Sequence, residues 1–232
     1  MTNSFQFQRF TIQHDCCAMK VGTDGVLLGA WGSVSGSRIL DIGTGSGLIA
    51  LMAAQRNPSA RVVGIDVDEA AVSQAQENIT RSPFQSRVVA IEQDVLTYAP
   101  TATFDAILCN PPFFTEDTPP SGDSRILARW EQMLPFPLLV KRVRMLLSHD
   151  GDFSVILPSK SASDFISLCM ASGLHLRRRC QVRTVMRKPP RRTLMSFTHC
   201  HVSATLDEEI CLMDADGNRS QAYRALTNEF YL

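Results

Sequence analysis

The sequence predicts an α/β fold, a doubly wound and mostly parallel sheet that ends in an antiparallel hairpin. Three observations carry this reading. Over the first 160 residues short β-rich runs alternate with helix-like runs. The run Ala106-Ile107-Leu108-Cys109 is apolar on both sides, as a strand covered by helices on both faces would be. A glycine-rich loop joins the first of these strands to a helical segment. Size and composition agree, because 232 residues suit one domain, and 44% hydrophobic with 20% charged residues can fill a core.

Taken in order, the strands are Arg38 to Ile42, Arg61 to Asp66, Arg87 to Glu92, Phe104 to Cys109 and Asp152 to Leu157. Between them lie Leu48 to Arg56, Glu69 to Thr80 and Leu138 to Leu147, where apolar residues recur at helical spacing, as Val72, Ala75 and Ile79 do. Two further strands, Leu176 to Val185 and Thr193 to His199, flank the turn Arg187-Lys188-Pro189-Pro190-Arg191-Arg192 and form the hairpin. Pro111, Pro112, Pro119 and Pro120, with Ser121 and Gly122, make Asn110 to Asp123 a long irregular loop after the fourth strand. In an open α/β sheet such loops, at the carboxyl ends of strands, form the ligand crevice.

No apolar stretch approaches the ~20 residues that span a bilayer. Met1 to Phe10 has no basic patch followed by an apolar segment, so a cytoplasmic protein is expected. Seven cysteines are scattered without CxxC spacing, which argues against a disulfide framework. No metal is indicated, since His14, Cys16 and Cys17, or His199, Cys200 and His201, would be split between the two faces of a strand. The zero net charge is unevenly spread. Eight of the 23 bases and none of the 23 acids lie between Arg177 and Arg192, leaving an acidic body with one basic strip. That strip is either a surface for a phosphate-bearing partner or a solvated hairpin whose charges guard a sheet edge.

Ile39-Leu40-Asp41-Ile42 runs into Gly43-Thr44-Gly45-Ser46-Gly47 and then a helix start. Glycines permit positive φ and let a ligand approach the backbone, while the helix N-terminus offers unpaired N–H groups. The spacing is G-x-G-x-G. The third glycine of a dinucleotide fingerprint would fall on Leu48, and no Lys-Ser/Thr pair follows, so neither nicotinamide nor a P-loop ligand fits. Asp66, 23 residues after Gly43, ends the second strand where an acid accepts ribose hydroxyls. Asp94, after the third strand, is placed to take an adenine amino group. The ligand is therefore expected to contain a nucleoside.

Asn110-Pro111-Pro112-Phe113 follows the fourth strand. The Asn side-chain oxygen and a backbone C=O can each accept one N–H of an –NH₂ group. Prolines stiffen the turn, and Phe113 offers a ring for stacking. Two acceptors set against a conjugated amine favour the pyramidal geometry in which its lone pair is available to form a bond.

Asp41 to Gly47, Asp66, Asp94 and Asn110 to Phe113 together resemble the motifs of class I S-adenosylmethionine-dependent methyltransferases, in the amino-methylating branch with Asn-Pro-Pro-aromatic. More narrowly, the segment from Ala18 to Trp31, with Lys20-Val21-Gly22-Thr23-Asp24-Gly25 at its centre, resembles the N-terminal signature of the bacterial tRNA1(Val) adenine-37 N6-methyltransferases. Ser220 to Leu232 is similar to the end of that family. The resemblance implies a Rossmann-like, seven-stranded methyltransferase sheet in a single domain. Residues 1–37 would cover the cofactor, 38–160 would bind it, and 161–232 would supply antiparallel strands and a terminal helix.

It further implies that Asp41, Gly43, Gly45 and Gly47 surround S-adenosyl-L-methionine, that Asp66 holds its ribose and Asp94 its adenine, and that Lys20 and Thr23 lie near its methionine end. Asn110, Pro111, Pro112 and Phe113 would act on the adenine beside the anticodon. Arg187, Lys188, Arg191 and Arg192 would meet tRNA. Phe113 stands where many adenine and glutamine methylators have Tyr. The same loop also serves guanine-N2 rRNA and protein glutamine N5 methylation, so both remain open at this point.

Overall fold

A computed structural model of the chain describes residues 4–14, 21–112 and 134–232. The first elements are β1 (Ser4–Gln6), β2 (Thr11–Gln13), α1 (Thr23–Trp31), β3 (Arg38–Ile42), α2 (Leu48–Arg56), β4 (Arg61–Asp66), α3 (Glu69–Thr80), β5 (Val88–Glu92) and β6 (Phe104–Cys109). There follow α4 (Phe136–Leu146), β7 (Leu147–Pro158), α5 (Ser159–Ala171), β8 (His175–Arg183), β9 (Arg192–Thr198), β10 (Leu206–Cys211) and α6 (Gln221–Thr227). Among the described residues, no helix is long and apolar enough to cross a membrane.

The main sheet runs β10-β8-β9-β7-β6-β3-β4-β5. Every neighbouring pair is parallel except the two that involve β9. Strand residues alternate between two cores. Ile39, Ala106 and Leu108 face α1, α2, α3 and α6, whereas Leu40, Ile107 and Cys109 face α4 and α5. The sheet is thus doubly wound, as the two-sided apolar runs require. The expected hairpin β8–β9 forms, with Cys180 opposite Leu194.

One expectation is corrected. The sheet has eight strands rather than seven, because β10 adds to its edge in parallel with β8, and β9 alone opposes the other strands. Hydrophobic alternation does not reveal β10, whose Asp207-Glu208-Glu209 core is acidic. Ion pairs with the strand beside it compensate, with Arg178 to Glu208 at 3.1 Å, Arg179 to Asp207 at 2.8 Å and Arg183 to Glu209 at 3.0 Å. β7 also begins five residues before the expected Asp152. A Cβ on Gly151 would lie 2.9 Å from the Asp105 carbonyl, so this glycine serves close strand packing.

The two ends of the described chain meet. The Gln8 N–H donates to the Phe230 carbonyl at 2.9 Å, and the Phe7 and Tyr231 rings stack with centroids 6.0 Å apart.

Candidate active site

β6, β3, β4 and β5 are consecutive in the sheet, so their carboxyl ends line up Asn110, the glycine loop, Asp66 and Asp94 along one crevice. At ~4.8 Å per strand this row is ~14 Å long. Gly43, Gly45 and Gly47 have φ of +70°, +52° and +81°, a region closed to most side chains. The loop is strapped to β4 by the N–H groups of Gly43 and Thr44, which donate to the Ile65 carbonyl at 2.9 and 3.0 Å. A Cβ at Gly43 or Gly45 would meet nothing within 4 Å, so the bare backbone faces open space.

Beneath the loop, Asp41 is fully buried. Its Oδ2 accepts the Thr44 hydroxyl at 2.7 Å and the Ala50 N–H at 3.2 Å, while Oδ1 has no partner among the described residues. Burial first, and then the charge of Asp66, push this carboxyl up to about 7 against the opposing Thr44 and Ala50 hydrogen bonds. A buried carboxyl with an unused oxygen beside an open glycine loop suits a ligand that carries positive charge.

Asp66 is held at both oxygens, Oδ2 accepting the Gly45 N–H at 2.9 Å and Oδ1 the Asp68 N–H at 3.2 Å. Each oxygen keeps a second lone pair for a sugar hydroxyl. Asp94 Oδ1 accepts the Leu96 N–H at 2.8 Å. Immediately after β6, the Asn110 Oδ1 is buried and makes no hydrogen bond among the described residues. Pro111 beside it is buried and Pro112 exposed. An orphaned buried acceptor is costly, and a site that keeps one is built to receive a donor. Lys20 and Phe113 lie outside the described residues.

The methyltransferase small domain family matches residues 22–134. A tRNA1(Val) (adenine(37)-N6)-methyltransferase of Bacteroides fragilis is 46% identical, with 98% of this chain and 97% of that protein covered. Proteins of the same name from Bacteroides thetaiotaomicron and Citrobacter koseri are 43% and 39% identical over 98% and 99% of this chain and 97% and 95% of theirs. The chain belongs to this family of methyltransferases. Among solved structures, a predicted O-methyltransferase from Agrobacterium tumefaciens aligns with a TM-score of 0.69 at 18% identity, over 89% of this chain and 96% of that one. The glycopeptide N-methyltransferase MtfA, complexed with S-adenosylmethionine, aligns at 0.58 and 10% identity over 78% of this chain and all of that one. Both likenesses concern the fold.

The methyltransferase core explains much of the N-terminal signature as packing. A Cβ on Gly29 would come within 2.6 Å of Met52 Sδ and one on Gly25 within 3.1 Å of Leu48, so these glycines let α1 lie close on α2. Trp31 donates to Glu208 at 2.9 Å and lies under the Arg178 guanidinium, 4.1 Å from its carbon. Thr23 opens α1 and is exposed, and Asp24 beside it binds Arg192 at 2.7 Å.

The basic strip is accordingly divided. Arg177 pairs with the buried Asp152, Arg178, Arg179 and Arg183 pair with β10, and Arg192 pairs with Asp24. Arg187, Lys188 and Arg191 are exposed on the turn between β8 and β9. This turn lies at the same end of the sheet as Asn110, since β9 starts there opposite the last residue of β7.

Three residues that the sequence reading passed over shape the methyltransferase loop. Thr44 binds Asp41, and Gly64 makes room for it, because a Cβ there would lie 2.5 Å from the Thr44 hydroxyl. Asn78, buried on α3, donates to the Ser46 carbonyl at 2.9 Å and exchanges hydrogen bonds with the Gln13 backbone. Only the Asn at a helical position on the apolar face of α3 hinted at this last role.

Proposed function

We propose that the protein transfers the methyl group of S-adenosyl-L-methionine to the exocyclic N6 of adenine 37, beside the anticodon of tRNA1(Val), as its relatives' names describe. The observation that carries this reading is the Asn110 Oδ1, buried and without a partner among the described residues, at the mouth of the glycine-loop crevice. Asp66 would hold the ribose of the cofactor, Asp94 its adenine, and Gly43, Gly45 and Gly47 would let it lie against the backbone. Asp41, with its free oxygen, and the segment around Lys20 and Thr23 would face the methionine end. The cofactor supplies a methyl group already activated on a positive sulfur.

The protein's part is then alignment, worth up to about 7–11 kcal/mol when reacting groups are well oriented. Asn110 Oδ1 accepts one amine N–H, and a main-chain carbonyl of the Asn110–Pro112 turn accepts the other. Neither proline can donate an N–H in competition. The acceptors draw the amine toward pyramidal geometry, and Phe113 stacks on the base. Arg187, Lys188 and Arg191 contact phosphate, with Arg192 behind them. An anticodon-loop base is splayed into such a pocket at lower cost than a duplex base. In this reading residues 1–232 act as one methyltransferase domain, segment 1–37 covers the cofactor, and the protein works in the cytoplasm where tRNA is modified.

The test is incubation of the purified protein with labelled cofactor and, in parallel, total tRNA, rRNA and a protein extract from cells lacking the enzyme, followed by identification of the labelled nucleoside or residue. N6-methyladenosine at position 37 is expected. N2-methylguanosine in rRNA or labelled protein glutamine would transfer the assignment to those substrates. Asn110→Ala should lower turnover by about a hundredfold or more, by analogy with removal of one hydrogen-bonding group from an oxyanion hole, and leave cofactor affinity within a few fold.

A further inference from the structure

The end of the sheet opposite the glycine loop, where β7 and β8 begin and β9 ends, gathers four of the five histidines: His149, His175, His199 and His201. The His149 and His199 rings stack with centroids 6.4 Å apart, and His175 and His201 lie 5.8 Å apart. Cys200 sits between these pairs in sequence. In the β7–β9 register Phe153 faces Phe197 and Ser154 faces Ser196. Continued past the end of β9, that register sets Asp150 opposite Cys200. Cys200 Sγ is 3.5 Å from Asp150 Oδ1 and 3.6 Å from the His149 carbonyl. Ligand atoms of His149, Asp150 and Cys200 all lie within 4.8 Å of one another.

We propose that His149, Asp150 and Cys200 form a binding site for a single zinc-class divalent ion, remote from the methyl-transfer crevice. The structure ends β9 at Thr198, so His199, Cys200 and His201 follow the strand rather than lie on it, and only Cys200 of the three joins the site. It takes Cys200 from the segment just after β9 and its other two ligands from β7. One thiolate, one imidazole and one carboxylate select a borderline ion such as Zn²⁺ over Mg²⁺ or Ca²⁺, which prefer oxygen alone. A tetrahedral zinc with ligands at about 2.0–2.3 Å holds neighbouring ligand atoms ~3.3–3.6 Å apart, so the three side chains close on the ion by about an ångström. The fourth position is open to water.

His149 and Asp150 are exposed and Cys200 half-buried, so an ion enters without disturbing the core. As the sulfur–metal bond forms, the Cys200 thiol releases its proton to solvent. The His199 ring lies nearly parallel to that of His149, at an interplanar angle of 9°. The bound ion ties the start of β7 to the segment after β9, and stabilises the folded chain by mass action.

The experiment uses metal-free, full-length protein without a histidine tag and cobalt(II) as the optical probe. One equivalent should give a thiolate-to-cobalt charge-transfer band and the visible bands of tetrahedral cobalt, both erased by zinc. Cys200→Ser should abolish the charge-transfer band, and His149→Ala or Asp150→Asn should weaken binding by about tenfold or more. Zinc should raise the melting temperature of the wild-type protein and leave that of Cys200→Ser unchanged. Absence of the band would mean that the Cys200 thiol makes only a hydrogen bond to Asp150, and would overturn the proposal. A band that survives Cys200→Ser would overturn it too, and direct attention to His14, Cys16 and Cys17.

Discussion

Replacing Asp41 by Asn isolates the buried charge under the glycine loop. The amide has the carboxyl's shape, and its oxygen can keep the Thr44 and Ala50 hydrogen bonds. In the folded protein burial pushes this carboxyl up to about 7, against 3.8 in an unperturbed aspartate. Between those values the unfolded chain has released the proton and the folded chain still holds it. The group's contribution is therefore most favourable below the unfolded pKa, and is lost as pH rises through the folded one. A shift of about three units at ~1.4 kcal/mol each gives about 4 kcal/mol. Urea unfolding of ligand-free wild type and Asp41→Asn, from about pH 4 to about pH 8, measures it. The variant should gain on the wild type by several kcal/mol up to about pH 7, with no further change above. Stability curves that stay parallel over that range would refute the burial argument. With a cationic ligand present, the wild type should bind more weakly as pH falls below about 7, and the variant should bind without that dependence.

Gly64→Ala should displace Thr44 from Asp41, lowering stability by about 1–3 kcal/mol and weakening cofactor binding together; calorimetry showing both unchanged would contradict the role given to that contact. Lys188→Glu with Arg191→Glu should reduce the slope of log tRNA affinity against log salt by about 2, whereas an unchanged slope would return the turn to the role of a solvated hairpin. Arg192→Gln should leave that slope nearly intact and lower stability by about 1 kcal/mol, since its guanidinium is held by Asp24. Thermal melts and filter binding on the same preparation separate the two effects.

The parts of the fold legible in the sequence are those where one physical signal dominates. β3, β4, β6, α2 and α3 fall on the expected residues because apolar runs with a single period were bounded by glycine, Asp68 or proline. α1 escaped notice as a helix. Gly25 to Trp31 are buried all round, so no amphipathic stripe marks them. β10 escaped because its pairing is electrostatic and its partner arginines lie some thirty residues away. Sequence separation also hid the division of the basic strip, about thirty residues to β10 and 168 to Asp24, so its cations look equivalent until those acids are set beside them. In the proposed site, the glycines, the strand-end acids and Asn110 are singled out by their positions at the carboxyl ends of strands. Thr44, Gly64 and Asn78 work by supporting those groups, and spacing along the chain carries no trace of such support.

Asn78 ties the amino-terminal hairpin mechanically to the glycine loop of the proposed cofactor site. One carboxamide, almost wholly enclosed, grips both the Gln13 backbone and the Ser46 carbonyl of the glycine loop. Lifting β2 from the body would strip that amide of two of its three bonds and loosen the loop's anchorage at the same stroke. The amino-terminal hairpin and the glycine loop therefore cannot drift independently, and a change in one is felt as a change in the other.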